Sequence, residues 1–227
     1  MKTIGILGGM GPEATAQLYL EIIKIFQEEY GAKYDDDFPQ IVILNLPLPD
    51  VVEEKGSMEA IVKTLQAGVK KLEQAGVDFI AIPCNTAMNF LPQMKEITSV
   101  PFLNVVVETA DFIKEMRITT VGIIATEMTL RKNLYGSSLE GVDLIIPRVE
   151  QQKAVTQVIL NILCGKKEIA DRKFLQELIT ELKEKGAKKV ILGCTELPLL
   201  IRTEDTLDTI KILAKAVVRD ATREETK

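Results

Sequence analysis

The chain has 227 residues, 46% of them hydrophobic, with interspersed charges summing to a formal −5 and no histidine. That balance supplies a core for one large α/β unit or two compact halves, and it argues against general nucleic-acid binding, which needs basic patches to displace counterions. The missing histidines remove Ser-His-Asp and Cys-His catalysis, histidine metal sites and a histidine proton shuttle together, so proton chemistry near neutral pH falls to Cys, carboxylates, Lys or Tyr.

The first apolar run, Thr3–Leu7, reads as a strand turning at Gly8-Gly9. It is too short for a signal peptide, and no run reaches the ~18–20 residues of a membrane span. A cytoplasmic protein with no membrane partner is expected. Pro12 suits the first turn of a helix to about Glu29. The polar loop Gly31–Pro39 carries Asp35-Asp36-Asp37, and Ile41–Leu46 is a second strand before the loop Pro47-Leu48-Pro49-Asp50. Ser57 caps a helix whose Ile61, Leu65, Val69 and Leu72 share a face. Asp78–Ile82 is a third strand, ending at Pro83-Cys84-Asn85-Thr86.

The pattern then restarts. Thr119–Ala125 reads as a strand, Met128 to about Tyr135 as a helix, and Asp143–Ile146 as a strand. Gln151–Leu163 and Asp171–Lys185 are helices, the latter stopped by Gly186. Lys189–Leu192 is a strand ending at Gly193-Cys194-Thr195-Glu196, and a last helix, about Asp205 to Arg219, leads into a charged tail. Strands alternating with amphipathic segments predict an α/β fold: two similar doubly wound domains with mainly parallel sheets. The segments around Cys84 and Cys194 match in kind (apolar strand, breaker, Cys, polar residues opening a helix), and each lies roughly 70–80 residues after the strand that begins its half.

There are three cysteines, Cys84, Cys164 and Cys194, and no C-x-x-C pair, so neither a thiolate zinc site nor a disulfide framework is expected. Free cysteine is commonly a small core hydrophobe, and Cys164, in Ile162-Leu163-Cys164-Gly165, is read that way. Cys84 and Cys194 stand instead at strand carboxyl ends, where open parallel sheets bind ligands. If the halves are related by a pseudo-twofold axis, the two sulfurs face each other across the interface and meet opposite faces of one substrate carbon. Racemisation requires that geometry. A helix N-terminus lowers a thiol's pKa, to ~3.5–7.5 in strong cases, so a thiol/thiolate pair is feasible without histidine.

At these residues the chain resembles the aspartate/glutamate racemase family over nearly its whole length. The matching motifs are Gly5-Ile6-Leu7-Gly8-Gly9-Met10-Gly11-Pro12-Glu13-Ala14-Thr15, Pro83-Cys84-Asn85-Thr86-Ala87 and Gly193-Cys194-Thr195-Glu196. The resemblance implies a PLP-independent racemase with no cofactor and no metal, acting on a small-molecule amino-acid substrate, with Cys84 and Cys194 as its catalytic pair. It implies two domains, placed at residues 1–104 plus 208–227 and residues 105–207, with the active site between them, and a homodimer. Aspartate, glutamate or both are the expected substrates. A cysteine-based isomerase or decarboxylase of a small dicarboxylate, and a non-catalytic small-molecule binding protein, are the alternatives.

Met10 and the backbone of its tight turn are expected at a substrate carboxylate. Gly9-x-Gly11-x-x-Ala14 also satisfies a loose dinucleotide fingerprint, but Pro12 removes an N–H from the phosphate cradle, and Asn45 stands where an acidic residue belongs. Asn85, Thr86 and Thr195 offer donors beside the sulfurs, or simple helix caps. Glu196 places a negative charge beside Cys194 and opposes its ionisation, so Cys84 is expected to rest as thiolate and Cys194 as thiol. Lys153 matches the family position of a lysine reaching an acidic side chain, and Thr126 and Thr129 are further carboxylate contacts. Three departures bear on substrate choice. Val51 follows Pro49-Asp50 where aspartate-specific members carry arginine, Met88 stands where several relatives have histidine, and Arg202–Asp208 is short before Thr209.

Overall fold

A computed structural model describes residues 1–48 and 57–223. Pro49, Asp50 and Val51, on which the missing arginine bears, lie outside the described residues. The chain divides into two compact units, Met1–Val105 with Ile210–Lys227, and Val106–Thr209.

The first unit is built on β1 (Ile4–Gly8), α1 (Pro12–Glu29), β2 (Ile41–Asn45), α2 (Met58–Gln74) and β3 (Phe79–Ala81). A 3-10 helix, Thr86–Phe90, runs into α3 (Leu91–Lys95) and then β4 (Phe102–Leu103), after which α4 (Val105–Glu115) carries the chain into the second unit. Its four strands are all parallel in the order β2-β1-β3-β4. β1 is buried at every position, as a central strand covered on both faces must be. Leu7 and Gly8 point to opposite faces: a Cβ on Gly68 of α2 would meet Leu7, and one on Gly8 would meet Thr15 of α1. Pro12 occupies the first turn of α1, and Ser57 Oγ accepts from Ala60 N at 3.1 Å to cap α2, whose Ile61, Leu65, Val69 and Leu72 are buried.

The second unit repeats the winding with β5 (Thr120–Ala125), α5 (Glu127–Arg131), β6 (Asp143–Ile145), α6 (Val149–Leu163), α7 (Ile169–Glu184), β7 (Lys189–Gly193) and β8 (Thr206–Asp208). Its parallel sheet runs β6-β5-β7-β8, the same order as the first. The final helix, α8 (Thr209–Thr222), lies mostly in the first unit, where Lys2 N donates to Ala221 O at 3.0 Å.

The structure corrects the sequence reading in three places. The last helix starts at Thr209, not Asp205, because Thr206–Asp208 pair with Val190–Leu192 as β8. α5 stops at Arg131, short of Tyr135: Asn133 takes φ +48°, a left-handed conformation that ends helices. Between Thr86 and Thr119, where the pattern predicted no element, α3, β4 and α4 form. The run Val105-Val106-Val107, poor in intrinsic helix preference, hides the start of α4.

Candidate active site

In each sheet the chain leaves its first strand toward one edge and returns across it to the other, so the adjacent ends of β1 and β3, and of β5 and β7, are the topological switch points where such folds bind ligands. Ile6 pairs with Ala81, so the Gly9–Gly11 turn and the Ile82–Thr86 segment share the carboxyl end of the two central strands. Gly9 takes φ +94°, and a Cβ there would come 2.6 Å from Leu46 N, so only glycine fits. Thr15, in the first turn of α1, fixes the turn: its Oγ1 accepts from Gly9 N at 2.9 Å and donates to Gly11 O at 3.0 Å. The Gly9 N–H is therefore already bonded to Thr15. Met10, next in the turn, is buried.

Cys84 follows β3 with 5% of its surface exposed, and its N–H donates to Ile82 O at 2.8 Å. Asn85 and Thr86 are buried beside it. Asn85 begins the 3-10 helix through its backbone carbonyl, which accepts from Met88 N at 3.1 Å, and its side chain does not cap.

In the second unit Ala125 pairs with Gly193, so Thr126 and Cys194 leave neighbouring strands at the same level. Thr126 caps α5, its Oγ1 accepting from Thr129 N at 3.2 Å and lying 2.9 Å from Thr129 Oγ1, with both residues buried. Cys194 is 5% exposed, and its Sγ donates to Glu196 Oε2 at 2.9 Å. Thr195 Oγ1 donates to the same oxygen at 3.4 Å. A carboxylate only accepts, so with Glu196 ionised this bond requires the thiol form of Cys194. Asp208 ends β8 level with Leu192 of β7 and accepts from Arg202 Nε at 2.7 Å.

The second unit's edge thus gathers Thr126, Thr129, Cys194, Thr195 and Glu196, and the first unit's edge gathers Met10, Cys84, Asn85 and Thr86. Lys153 is exposed on α6, and the structure gives it no bond to the other members. Two expectations are corrected. The segment after each cysteine is not an α-helix: Cys84 precedes the 3-10 helix Thr86–Phe90, and Cys194 precedes a single 3-10 turn, Leu197–Leu199, with Pro198 inside it. Such short stretches carry little of the aligned dipole of a long helix. Cys164 is exposed rather than in the core. It sits at the C-cap of α6, off the buried stripe of Val155, Val158, Ile159 and Ile162.

Two residues escaped the sequence reading. Thr15 lies within a quoted motif, but its bonds to Gly9 and Gly11 show only in the structure. Gln152 donates from Nε2 to Ala125 O at 2.9 Å. The only sequence signal was its place in the first turn of a helix after a strand. Among the described residues no group of three or more Cys, Asp or Glu side chains is arranged to hold a metal ion.

Two sheets of one winding, each with a thiol at its switch point, define a duplicated α/β protein. The chain belongs to the Asp/Glu/Hydantoin racemase family, whose description matches residues 7–217. It is 33% identical over 220 residues, 95% of this chain and 96% of the other, to the broad specificity amino-acid racemase RacX of Bacillus subtilis. A glutamate racemase of Sulfurihydrogenibium is 30% identical over 140 residues, 56% of this chain and 49% of that protein. Among solved structures, the aspartate racemase of Picrophilus torridus superposes with a TM-score of 0.85 at 26% identity, covering 99% of this chain and 96% of that one. An aspartate racemase homologue from Pyrococcus horikoshii gives 0.81 at 27% identity, covering 98% and 100%.

Proposed function

We propose that the protein is a cofactor-independent racemase of acidic amino acids, aspartate or glutamate or both, with Cys84 and Cys194 as its two bases. The observation that carries this reading is the repeated placement of a buried thiol just past β3 and just past β7, in two sheets of one strand order. Membership of the racemase family and the names of the relatives support the reaction class.

In the proposed reaction one sulfur, as thiolate, takes the α-proton. The electron pair left behind spreads into the substrate carboxylate. The other sulfur, as thiol, gives its proton to the opposite face, which inverts the carbon and exchanges the protonation states of the two cysteines. Because Cys194 donates to Glu196, it is the thiol of the resting state and Cys84 the thiolate. Met10, Asn85, Thr86, Thr126 and Thr195 are proposed substrate contacts, with Lys153 at the side-chain carboxylate. Carbanion stabilisation is assigned to preorganised donors at the strand ends. The proposed setting is a cytoplasmic homodimer; light scattering giving the mass of one chain in solution would exclude the dimer.

Incubation of L-aspartate and L-glutamate with the protein in heavy water tests the reading. The expected result is deuterium at the α-carbon together with the D-enantiomer, reduced at least about a hundredfold in Cys84→Ser and in Cys194→Ser. Decarboxylation needs only one proton donor and would leave one of the variants active. Exchange in neither amino acid by the unaltered protein would refute racemisation.

A further inference from the structure

Gln152 Oε1 is buried and has no hydrogen-bond partner among the described residues. The amide cannot be reversed to relieve this, because Nε2 donates to Ala125 O at 2.9 Å and the opposite orientation would set two oxygens against each other. A buried acceptor without a donor is costly, and native proteins carry few of them. The position of this one matters. Ala125 pairs with Gly193, the residue before Cys194, so the Gln152 amide is anchored to the strand end beside the sulfur. Thr126 and Thr129, next along the chain, have their hydroxyls 2.9 Å apart. Oε1 is therefore an acceptor without a donor at a strand end that also carries the Cys194 thiol, the threonine hydroxyls and the Glu196 carboxylate, the last already accepting from Cys194 and Thr195.

We infer that Gln152 is a specificity-determining residue, its Oε1 accepting a hydrogen bond from the α-ammonium group of the amino acid while its Nε2 stays on the Ala125 carbonyl. The inference rests on the proposed amino-acid substrate. The ammonium is bonded to the carbon that must reach Cys194, and an acceptor tied to Ala125, on the strand paired with the one that ends at that cysteine, is placed to meet it as the carbon arrives. An ammonium donor suits a neutral amide oxygen in a buried setting, since a charge-assisted bond is stronger than a neutral one.

The test is binding calorimetry with the full chain, comparing L-aspartate with succinate and L-glutamate with glutarate, pairs that differ only in the amino group. Gln152→Met keeps the length and removes the acceptor. Its preference for amino acid over diacid should fall at least about tenfold, with diacid affinity held within a fewfold. Gln152→Glu gives up the bond to Ala125 O but keeps an acceptor, now charged, so its preference should stay above that of Gln152→Met. If Gln152 acts only by tethering α6 to β5, or bonds only to water, amino acid and diacid will weaken together in Gln152→Met and the ratio will not move, which overturns the inference. Should Gln152→Met fail to fold, an unaltered protein that binds amino acid no better than diacid overturns the inference alone. Because interconversion of enantiomers carries no heat and calorimetry reads binding, absence of α-proton exchange would count against the racemase reading and leave the amine preference to be judged separately.

Discussion

Cys194 and Glu196 share a buried hydrogen bond of 2.9 Å, and Glu196 is only 4% exposed. Ionising the sulfur beside an ionised Glu196 would set two negative charges side by side away from water, which favours the thiol proposed for the resting state. With Cys84 and Cys164 both changed to Ser, Glu196→Gln should lower the pH of half-maximal Cys194 alkylation by at least about one unit. An unchanged or higher midpoint would remove Glu196 from control of the thiol. Tyr135 shows burial acting on a different acid. Enclosure pushes its hydroxyl far above the usual phenol range, and a hydrogen bond with Thr109 offsets only part of that. The folded state favours the neutral phenol, so this contribution is complete below the unfolded pKa of about 10 and declines as pH rises above it. Tyr135→Phe should cost about 1 kcal/mol near neutrality, from the lost hydrogen bond. In urea titrations it should also flatten the alkaline fall in stability; a parallel fall in both proteins would contradict the assignment.

Among the elements, the Gly9 turn is the tightest demand on sequence. A methyl group there meets the backbone of Leu46 and takes a left-handed φ, whereas Gly31 at φ +69° has open space around its Cβ position. Gly31→Ala should cost about 1 kcal/mol, from strain alone. Gly9→Ala should cost about 3 kcal/mol or more, because backbone must move. Equal losses in chemical denaturation would contradict the packing at Leu46. The strands of the sheet interiors were legible because β1, β5 and β7 are near-continuous apolar runs ended by glycine or alanine. β4 and β8 were not, since two or three residues carry no period. They form because neighbours supply bonds such as Ile80 N to Pro101 O at 2.8 Å and Val190 N to Asp205 O at 2.8 Å. Likewise Cys84 and Cys194 could be read from strand-end context, whereas Gln152 could not, because its partner Ala125 lies 27 residues earlier in the chain.

At the scale of the whole molecule, the proposed proton transfers use sulfur alone, in a chain with no histidine. Among the described residues no helix is long and apolar enough to cross a membrane. If catalysis rests on the two cysteines, dialysis against EDTA followed by hydroxylamine, which strips carbonyl cofactors, should leave racemisation within about twofold of its starting value, a shift of under ~0.5 kcal/mol in barrier. Loss of activity restored by PLP or a divalent ion would overturn the cofactor-free reading. The two units share a strand order, yet Asn85-Thr86 follows one cysteine and Thr195-Glu196 the other. Mirror-image substrates have equal free energies, so for a racemase kcat/KM must be the same in both directions. The carboxylate beside a single sulfur can therefore express itself only as unequal kcat and KM for the two hands, offset so that their quotients agree.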